Sequence, residues 1–279
     1  MKDSDKSLSI FPTAAEDLER ARQNRVDNAA YRLAYADDDF LSRDEMRAVR
    51  LQLEWLKPDI IQEEQSINST VVIFGGARFP EPESEPSDIK TDQNNDIIRN
   101  IRNNSRYYQI ARSLAQKITK LSIEHNGQEY VVVTGGGPGI MEAANRGACD
   151  VGGKSIGLNI VLPFEQTPNP YITPDLCFQF HYFAVRKMHF LKRAKGLVAF
   201  PGGFGTLDEL FETLTLIQTK KIKPVPVVLI GKDYWQHLID FEFLVQQGAI
   251  SSEDAELVHW VDSEIEAFDY LKSRWAMVV

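Results

Sequence analysis

The sequence predicts an α/β protein, with a parallel sheet covered by helices on both faces and an α-helical extension before it. Short apolar runs alternate with segments of helical periodicity from about residue 70 onwards. Such alternation is typical of parallel sheets, because each crossover between neighbouring strands carries a helix. Three of the apolar runs end in clusters of glycine, where a strand can turn sharply into the next segment.

Composition is that of an ordinary globular protein, and it limits the partners. Of the 279 residues, 43% are hydrophobic and 25% are charged, and the net charge is −9. Because an acidic surface repels phosphate backbones, no nucleic-acid partner is expected. No stretch approaches the ~18 apolar residues of a membrane span, and the first residues lack the apolar core of a signal peptide. We therefore expect no membrane association and a cytoplasmic location.

Cysteine and histidine spacing points to no metal site. The two cysteines, Cys149 and Cys177, fit neither a disulfide framework nor a metal-ligand pattern, and both are predicted to be buried apolar residues. The five histidines are scattered, with no pair at metal-ligand spacing. We expect neither a metal nor an organic cofactor.

The N-terminal part is predicted to contain a disordered tail, residues 1–13, and a helical extension, residues 14–66. Residues 14–57 are predicted to form two helices. The second begins with a capping-box pattern at Ser42, continues with apolar residues at helical spacing and ends near Pro58. The main domain, residues 67–279, follows.

In the main domain, predicted strands and helices alternate. The strands are predicted at 71–74, 130–133, 155–162, 178–182, 197–200, 225–230 and 257–261. The helices are predicted at about 97–122 and at 140–149, 185–194, 207–218, 234–246 and 264–275. The polar segment 80–96 is predicted to be a surface loop.

Glycine clusters follow three of the strands. They comprise Gly75 and Gly76; Gly135, Gly136, Gly137 and Gly139; and Gly202, Gly203 and Gly205. In open parallel sheets, ligands bind outside the carboxyl ends of the strands. We therefore expect all three clusters to converge at one edge of the sheet.

The third cluster, within the run 201–206 (Pro-Gly-Gly-Phe-Gly-Thr), joins a strand to a helix. Glycines allow close approach of a ligand, and a helix N-terminus offers free N–H groups and partial positive charge. The alternative is a tight turn in which Thr206 caps the helix and Glu209 completes a capping box. We predict a phosphate-binding loop that includes Thr206, because three glycines exceed what a turn needs.

Two other glycine segments do not match known nucleotide-binding motifs. The run 135–140 fails the dinucleotide pattern because Ile140 occupies its last glycine position. The run 152–155 fails the P-loop pattern because Ala148 stands at the first glycine position and a strand follows.

Charged residues near these loops have two interpretations each. Arg186 and Lys187 begin the helix that precedes the third glycine cluster, so they either contact a ligand or belong to a solvated basic face. Glu209 either caps the next helix or presents a carboxylate to the ligand.

Together these motifs resemble the Lonely guy family, whose members are cytokinin riboside 5′-monophosphate phosphoribohydrolases, often labelled possible lysine decarboxylases. The resemblance lies in the run 134–148, the pair 186–187 and the run 201–209, in this order. It covers about residues 70–272. The segment 79–104 and the N-terminal helices go beyond the short family form, which indicates a longer subtype.

The resemblance implies a Rossmann-like fold, a homodimer or larger homo-oligomer, and cleavage of AMP or cytokinin riboside monophosphates to free base and ribose 5-phosphate. It places the catalytic residues at Arg186 and Glu209, and the phosphate loop at Gly202, Gly203, Gly205 and Thr206. Short members often carry Met-His before the arginine, whereas Ala184 and Val185 stand here. The preferred base is therefore left open.

Two other functions remain open at this point. One is a nucleotide-binding or carrier protein without catalysis, and the presence of both Arg186 and Glu209 favours an enzyme over it. The other is a lysine decarboxylase, which needs a lysine that forms a Schiff base with pyridoxal phosphate. No residue pattern marks such a lysine, although Lys187 stays a candidate.

Overall fold

A computed structural model describes residues 11–24, 26, 28–82, 95–163 and 167–276. The chain forms two compact units, Met1–Glu54 and Trp55–Val279. The predicted tail falls largely on residues 1–10, outside the described residues, as does most of the predicted loop 80–96.

The first unit is helical, as predicted, but its helices begin and end at other residues than expected. Helix α1 spans Ala14–Gln23 and begins with a capping box between Thr13 and Glu16. Helix α2, Asp38–Leu41, ends at Ser42, which therefore does not begin the next helix. Helix α3, Arg47–Glu64, follows a single 3-10 turn instead.

Helix α3 continues through Pro58, where the sequence predicted its end. Contacts formed by the residues around the proline account for this. Pro58 and Gln62 are buried, and the Gln62 side chain donates to the Pro58 carbonyl. Asp59 forms ion pairs with Lys192 and Arg193 at 2.5 and 2.6 Å. Such tertiary contacts outweigh the unfavourable helix propensity of one proline.

The second unit contains a seven-stranded parallel sheet in the order β4-β3-β2-β1-β5-β6-β7. The strands are β1 Thr70–Phe74, β2 Val131–Thr134, β3 Ser155–Ile160, β4 Cys177–Phe180, β5 Ala194–Ala199, β6 Val227–Ile230 and β7 Val258–Val261. All seven predicted strands are present, and the fold is Rossmann-like.

Helices cover both faces of this sheet. They are α4 Asn95–Asn104, α5 Arg106–Glu124, α6 Ile140–Asp150, α7 Phe183–Lys192, α8 Phe204–Gln218, α9 Lys232–Leu238, α10 Phe241–Gln246, α11 Ser252–Ala255 and α12 Glu264–Ala276. Val72 and Phe74 of β1 point toward α7 and α8, whereas Val71 and Ile73 point toward α5, α6 and α12. Side chains that alternate in this way fill one core on each face of the sheet.

Two predicted helices are each divided in two. The helix predicted at 97–122 is interrupted at Ser105, whose hydroxyl bonds the Ile101 carbonyl, a contact that tends to bend helices. The helix predicted at 234–246 breaks before Asp240, whose side chain caps α10 by accepting from the Phe243 N–H.

Both cysteines are exposed, which corrects the prediction that they are buried. Cys149 lies in the last turn of α6 beside exposed Asp150, and Cys177 lies on the outward face of edge strand β4. Within the described part of the chain, no helix is long and apolar enough to cross a lipid bilayer.

Candidate functional site

The site lies where the strand order reverses. Strands β1 and β5 are neighbours, although three other strands separate them in the chain. Their extensions stay paired, because the Phe200 N–H donates to the Phe74 carbonyl and the Gly76 N–H donates to the Pro201 carbonyl, both at 2.9 Å. In doubly wound sheets such a switch point opens a crevice between the two loops.

A cleft of about 670 Å³ occupies this crevice, and its volume suits a small-molecule ligand. It brings together residues from all three glycine clusters with Arg186 and Glu209, the two predicted catalytic residues. The predicted site residues in its wall are Gly75, Gly76, Gly135, Arg186, Gly202, Gly203, Gly205, Thr206 and Glu209.

The third glycine cluster forms the N-terminus of α8. The helix begins at Phe204 and has Gly203 as its N-cap, three residues earlier than predicted. A Cβ atom at Gly202 would collide with the Thr206 hydroxyl, whereas one at Gly203 or Gly205 would meet nothing within 4 Å. The first turn therefore presents open backbone N–H groups to the cleft, as a phosphate site requires.

The alternative interpretation of this loop as a capped turn is wrong. Thr206 is the third residue of α8 rather than its N-cap, and its own N–H donates to the Gly203 carbonyl at 3.0 Å. Because Gly203 provides no side-chain cap, Thr206 and Glu209 form no capping box. The burial of both residues in the cleft wall needs another explanation.

The second glycine cluster contributes only Gly135 to the cleft wall. Gly136 and Gly139 adopt φ angles of +74° and +69°, so they shape the loop itself. A Cβ atom at Gly139 would collide with the Gly76 carbonyl. The Gly137 carbonyl accepts from Asn169 at 3.1 Å. Gly136, Gly137 and Gly139 lie outside the wall of the cleft, where ligand contact was predicted for them.

Arg186 is held in place by a hydrogen bond to a carbonyl of β3 and by packing. Its Nε donates to the Leu158 carbonyl at 2.8 Å. A Cβ atom at Gly135 would lie 2.8 Å from a terminal nitrogen of the guanidinium, so Gly135 allows the guanidinium to approach the loop closely. Burial lowers the pKa of Arg186, and the negative charge of Glu209 partly offsets this.

Glu209 presents a buried carboxylate to the cleft, with 7% of its surface exposed. Burial raises its pKa to about 7, while the positive charges of Lys187 and Arg186 act in the opposite direction. Arg186 and Glu209 are both described, and no salt bridge joins them. The carboxylate can therefore exchange a proton near neutral pH.

Lys187 lies outside the cleft wall, although it was predicted to bind the substrate. Its Nζ contacts Asp208 at 2.9 Å and Glu212 at 3.1 Å. Burial lowers its pKa, but the hydrogen bonds to Asp208 and Glu212 outweigh burial and raise it. The ammonium group thus forms its ion pairs with two carboxylates of α8.

Several cleft residues were missed by the sequence analysis. Arg78 and Phe79 come two and three residues after the first glycine pair, and that position was the available signal. Tyr234 follows β6 at the same sheet edge, and its hydroxyl donates to the Gly202 carbonyl at 2.6 Å. Ile97 and Ile101 come from α4, and no sequence motif marks them.

A larger cleft of about 1010 Å³ lies at the opposite edge of the sheet, beside Tyr130, Pro226 and Trp275. It contains none of the glycine clusters, so its size does not make it the site. Among the described residues, no group of three or more histidine, cysteine, aspartate or glutamate side chains is placed to hold a metal ion.

Sequence comparisons place the chain near one group of proteins. A family profile described as "Possible lysine decarboxylase" matches residues 141–271. A cytokinin riboside 5′-monophosphate phosphoribohydrolase of Arabidopsis thaliana is 29% identical over 158 residues, which cover 55% of this chain and 69% of that protein. A probable cytokinin riboside 5′-monophosphate phosphoribohydrolase of Oryza sativa subsp. japonica is 31% identical over 149 residues, 52% of this chain and 56% of that protein.

Solved structures with a similar fold include the Moco carrier protein from Chlamydomonas reinhardtii. It is 21% identical, with a TM-score of 0.48, over 75% of this chain and 99% of that chain. A molybdenum cofactor binding protein from Rippkaea orientalis is 20% identical, with a TM-score of 0.45, over 74% and 96%. Likeness at this level bears on neither the ligand nor the activity of this chain.

Proposed function

We propose that this chain, a relative of the Lonely guy family, hydrolyses the N-glycosidic bond of nucleoside 5′-monophosphates to give a free base and ribose 5-phosphate. The observation that carries the proposal is the position of Glu209. Its buried carboxylate, with a pKa of about 7, shares one cleft with the open N-terminus of α8 and with Arg186.

The first turn of α8 suits the 5′-phosphate. Gly203 and Gly205 leave the backbone N–H groups accessible, and the helix dipole favours a negative charge there. The neighbouring Thr206 hydroxyl lines the same cleft and supplies one more donor. This arrangement binds a phosphate without a lysine.

Glu209 lies in the same helix, so a nucleotide bound by its phosphate places its ribose near the carboxylate. Cleavage of the bond between C1′ and the base nitrogen leaves positive charge on the ribose, which a carboxylate stabilises. The bonding electrons leave with the base. A water oxygen then bonds C1′ while Glu209 takes a proton from that water. Glu209 gives this proton to the base nitrogen, which restores the carboxylate, so that one water is consumed.

A pKa near 7 matches this task. At neutral pH a large part of Glu209 is ionised, yet it is basic enough to accept a proton. The charge of Arg186 favours the ionised form without a direct salt bridge. Its guanidinium, fixed through Nε to Leu158, also faces the cleft and can contact the ribose phosphate.

The substrate class is inferred from the cleft and from the activities for which the relatives are named. We take AMP and cytokinin riboside monophosphates as the candidate substrates. The decarboxylase alternative is disfavoured by Lys187, because its raised pKa keeps the amine protonated, whereas a Schiff-base lysine must be neutral to react.

The test is a product assay with AMP. Wild-type protein should release adenine and ribose 5-phosphate, and the Glu209→Gln variant should bind AMP but turn it over about 10² times more slowly. Glutamine keeps the size of the side chain but cannot ionise. AMP binding without products from wild-type protein would instead support a carrier.

We also propose that the protein assembles as a homodimer or a larger homo-oligomer. Two apolar side chains of the cleft wall are largely exposed, Phe183 by 52% and Phe204 by 92%. Apolar surface of this kind is common where subunits meet. Light scattering after gel filtration would measure the mass, and a monomer at micromolar concentration would contradict the proposal.

A further inference from the structure

The segment between β1 and α5 supplies part of the cleft that no motif marks. We infer that Phe79, Ile97 and Ile101 form a wall against which the base of the nucleotide packs, so that these three residues govern recognition of the base. The inference rests on the proposed function for the identity of the ligand.

The wall is apolar and comes from two pieces of the segment. Phe79 packs on the first glycine pair, since a Cβ atom at Gly76 would lie 2.7 Å from its ring. Ile97 and Ile101 are four residues apart, so they share one face of α4. Ile101 is buried and Ile97 is 46% exposed, and both line the cleft.

Charged contacts fix this wall to the domain. Glu81, two residues beyond Phe79, accepts a hydrogen bond from Arg146 of α6 at 2.7 Å. It also lies 3.6 Å from Arg112 of α5, which is itself bonded to Asp150 at 2.6 Å. The chain that carries Phe79 is thus tied to two helices of the core, which gives the ring a fixed position.

The distribution of polar groups determines which end of a nucleotide meets the wall. Thr206, Asp208 and Glu209 belong to α8 and Tyr234 to α9, on the β5 side of the crevice, whereas Arg78 is the charged residue of the cleft wall that follows β1. The phosphate and ribose need these polar groups. The planar base is the apolar end of a nucleotide, so it lies toward the β1 side, against Phe79 and the isoleucines.

A matched pair of variants on α4 tests the wall. Ile97 lines the cleft, whereas half-buried Ile98 does not, and neither is fully buried, so truncation should leave the fold intact. Ile97→Ala and Ile98→Ala are each made in a Glu209→Gln background, in which consumption of AMP during the measurement is slow. Calorimetry then gives the Kd of AMP and of ribose 5-phosphate, and circular dichroism checks folding.

Ile97→Ala should weaken AMP binding about tenfold and leave ribose 5-phosphate unchanged, because only AMP carries a base. Ile98→Ala should change neither Kd. Unchanged AMP affinity in Ile97→Ala would overturn the inference, and so would an equal loss for both ligands. Release of no adenine by wild-type protein, although Ile97→Ala weakens binding of AMP alone, would contradict the proposed hydrolysis and still support packing of the base against the wall.

Discussion

The Nζ atom of Lys187 lies 2.9 Å from the carboxylate of Asp208, across the contact between α7 and α8. The same atom lies 3.1 Å from Glu212, one turn further along α8. One ammonium group therefore bridges the residues on either side of Glu209. After burial, which raises the pKa of Glu209, the charge of Lys187 is the strongest influence on it and lowers it.

Replacing Lys187 should therefore change the proton affinity of Glu209. In Lys187→Met, three carboxylates lose their shared cation, so the pKa of Glu209 should rise further above 7. Asp208→Asn should have the opposite effect, because Asp208 raises the pKa of Glu209. The acid limb of the pH–rate profile measures both shifts, and movement in the same direction would contradict this account.

The rate of AMP cleavage should depend on one ionisation near neutrality. If ionised Glu209 is required, kcat/KM should fall about tenfold per pH unit below its pKa of about 7. The phosphate of AMP also titrates, near pH 6. A fall of kcat/KM at acid pH that persists in Glu209→Gln is due to the phosphate of AMP. If the pH–rate profiles of both proteins are identical, the proposed role of Glu209 is refuted.

The carboxylate of Glu209 should lower the free energy of unfolding as the pH rises above 4.5. Because the folded-state pKa of Glu209 is raised from 4.5 to about 7, the folded protein keeps a proton that the unfolded chain has released between these values. Stability therefore falls as pH rises through this window, by up to about 3 kcal/mol. Glu209→Gln should be more stable than wild type at pH 8 and similar to it at pH 4.5.

Denaturant titrations at the two pH values measure this difference. Exposed Glu256 serves as a control, since Glu256→Gln should leave the pH dependence unchanged. An equal effect of Glu209→Gln at both pH values would indicate a packing change instead of an ionisation.

Replacement by alanine should have different effects at different glycines of the phosphate loop. Gly205→Ala adds a methyl group where nothing lies within 4 Å, so melting temperature should stay constant or rise slightly. The methyl group should nevertheless obstruct the phosphate and weaken AMP binding about tenfold, with no effect on adenosine. Gly202→Ala should lower the melting temperature, because its Cβ would collide with Thr206. Equal kcat/KM values for AMP and adenosine in wild-type protein would contradict the assignment of a phosphate site to this loop.

Two truncations test where the Rossmann-like domain begins. Removal of residues 1–54 takes away the first compact unit and leaves Asp59 with its partners Lys192 and Arg193. Removal of residues 1–66 leaves these two cations without their carboxylate and also removes the buried residues Pro58 and Gln62, so stability should fall further. Chemical denaturation compares the two, and equal stability would show that Asp59 is dispensable.

The sequence located all seven strands, because each is a short apolar run bounded by glycine or polar residues. It also located the edge of the sheet at which the glycine clusters converge. The resemblance to the Lonely guy family, drawn from three motifs in order, is confirmed by the sequence relatives. These features are local in the chain, so their patterns are visible without a structure.

The features that could not be predicted from the sequence depend on packing between distant segments. The start of α8 was placed too late because Phe204-Gly205-Thr206 has the composition of a loop, although it is helical. The partners of Lys187 follow from how α7 packs on α8, which no spacing reveals. The apolar residues of α4 reach the cleft after a long intervening segment, and only the fold brings them there.

The pairing of β1 with β5 also bears on how the protein is made. About 120 residues separate these strands, and β1 stays without one of its two neighbours until β5 has left the ribosome. Nascent chains that end before residue 194 thus carry an open edge in the middle of the future sheet, which other strands can occupy. Since the crevice forms only when that edge closes, a ligand held there stabilises the finished fold and none of its precursors.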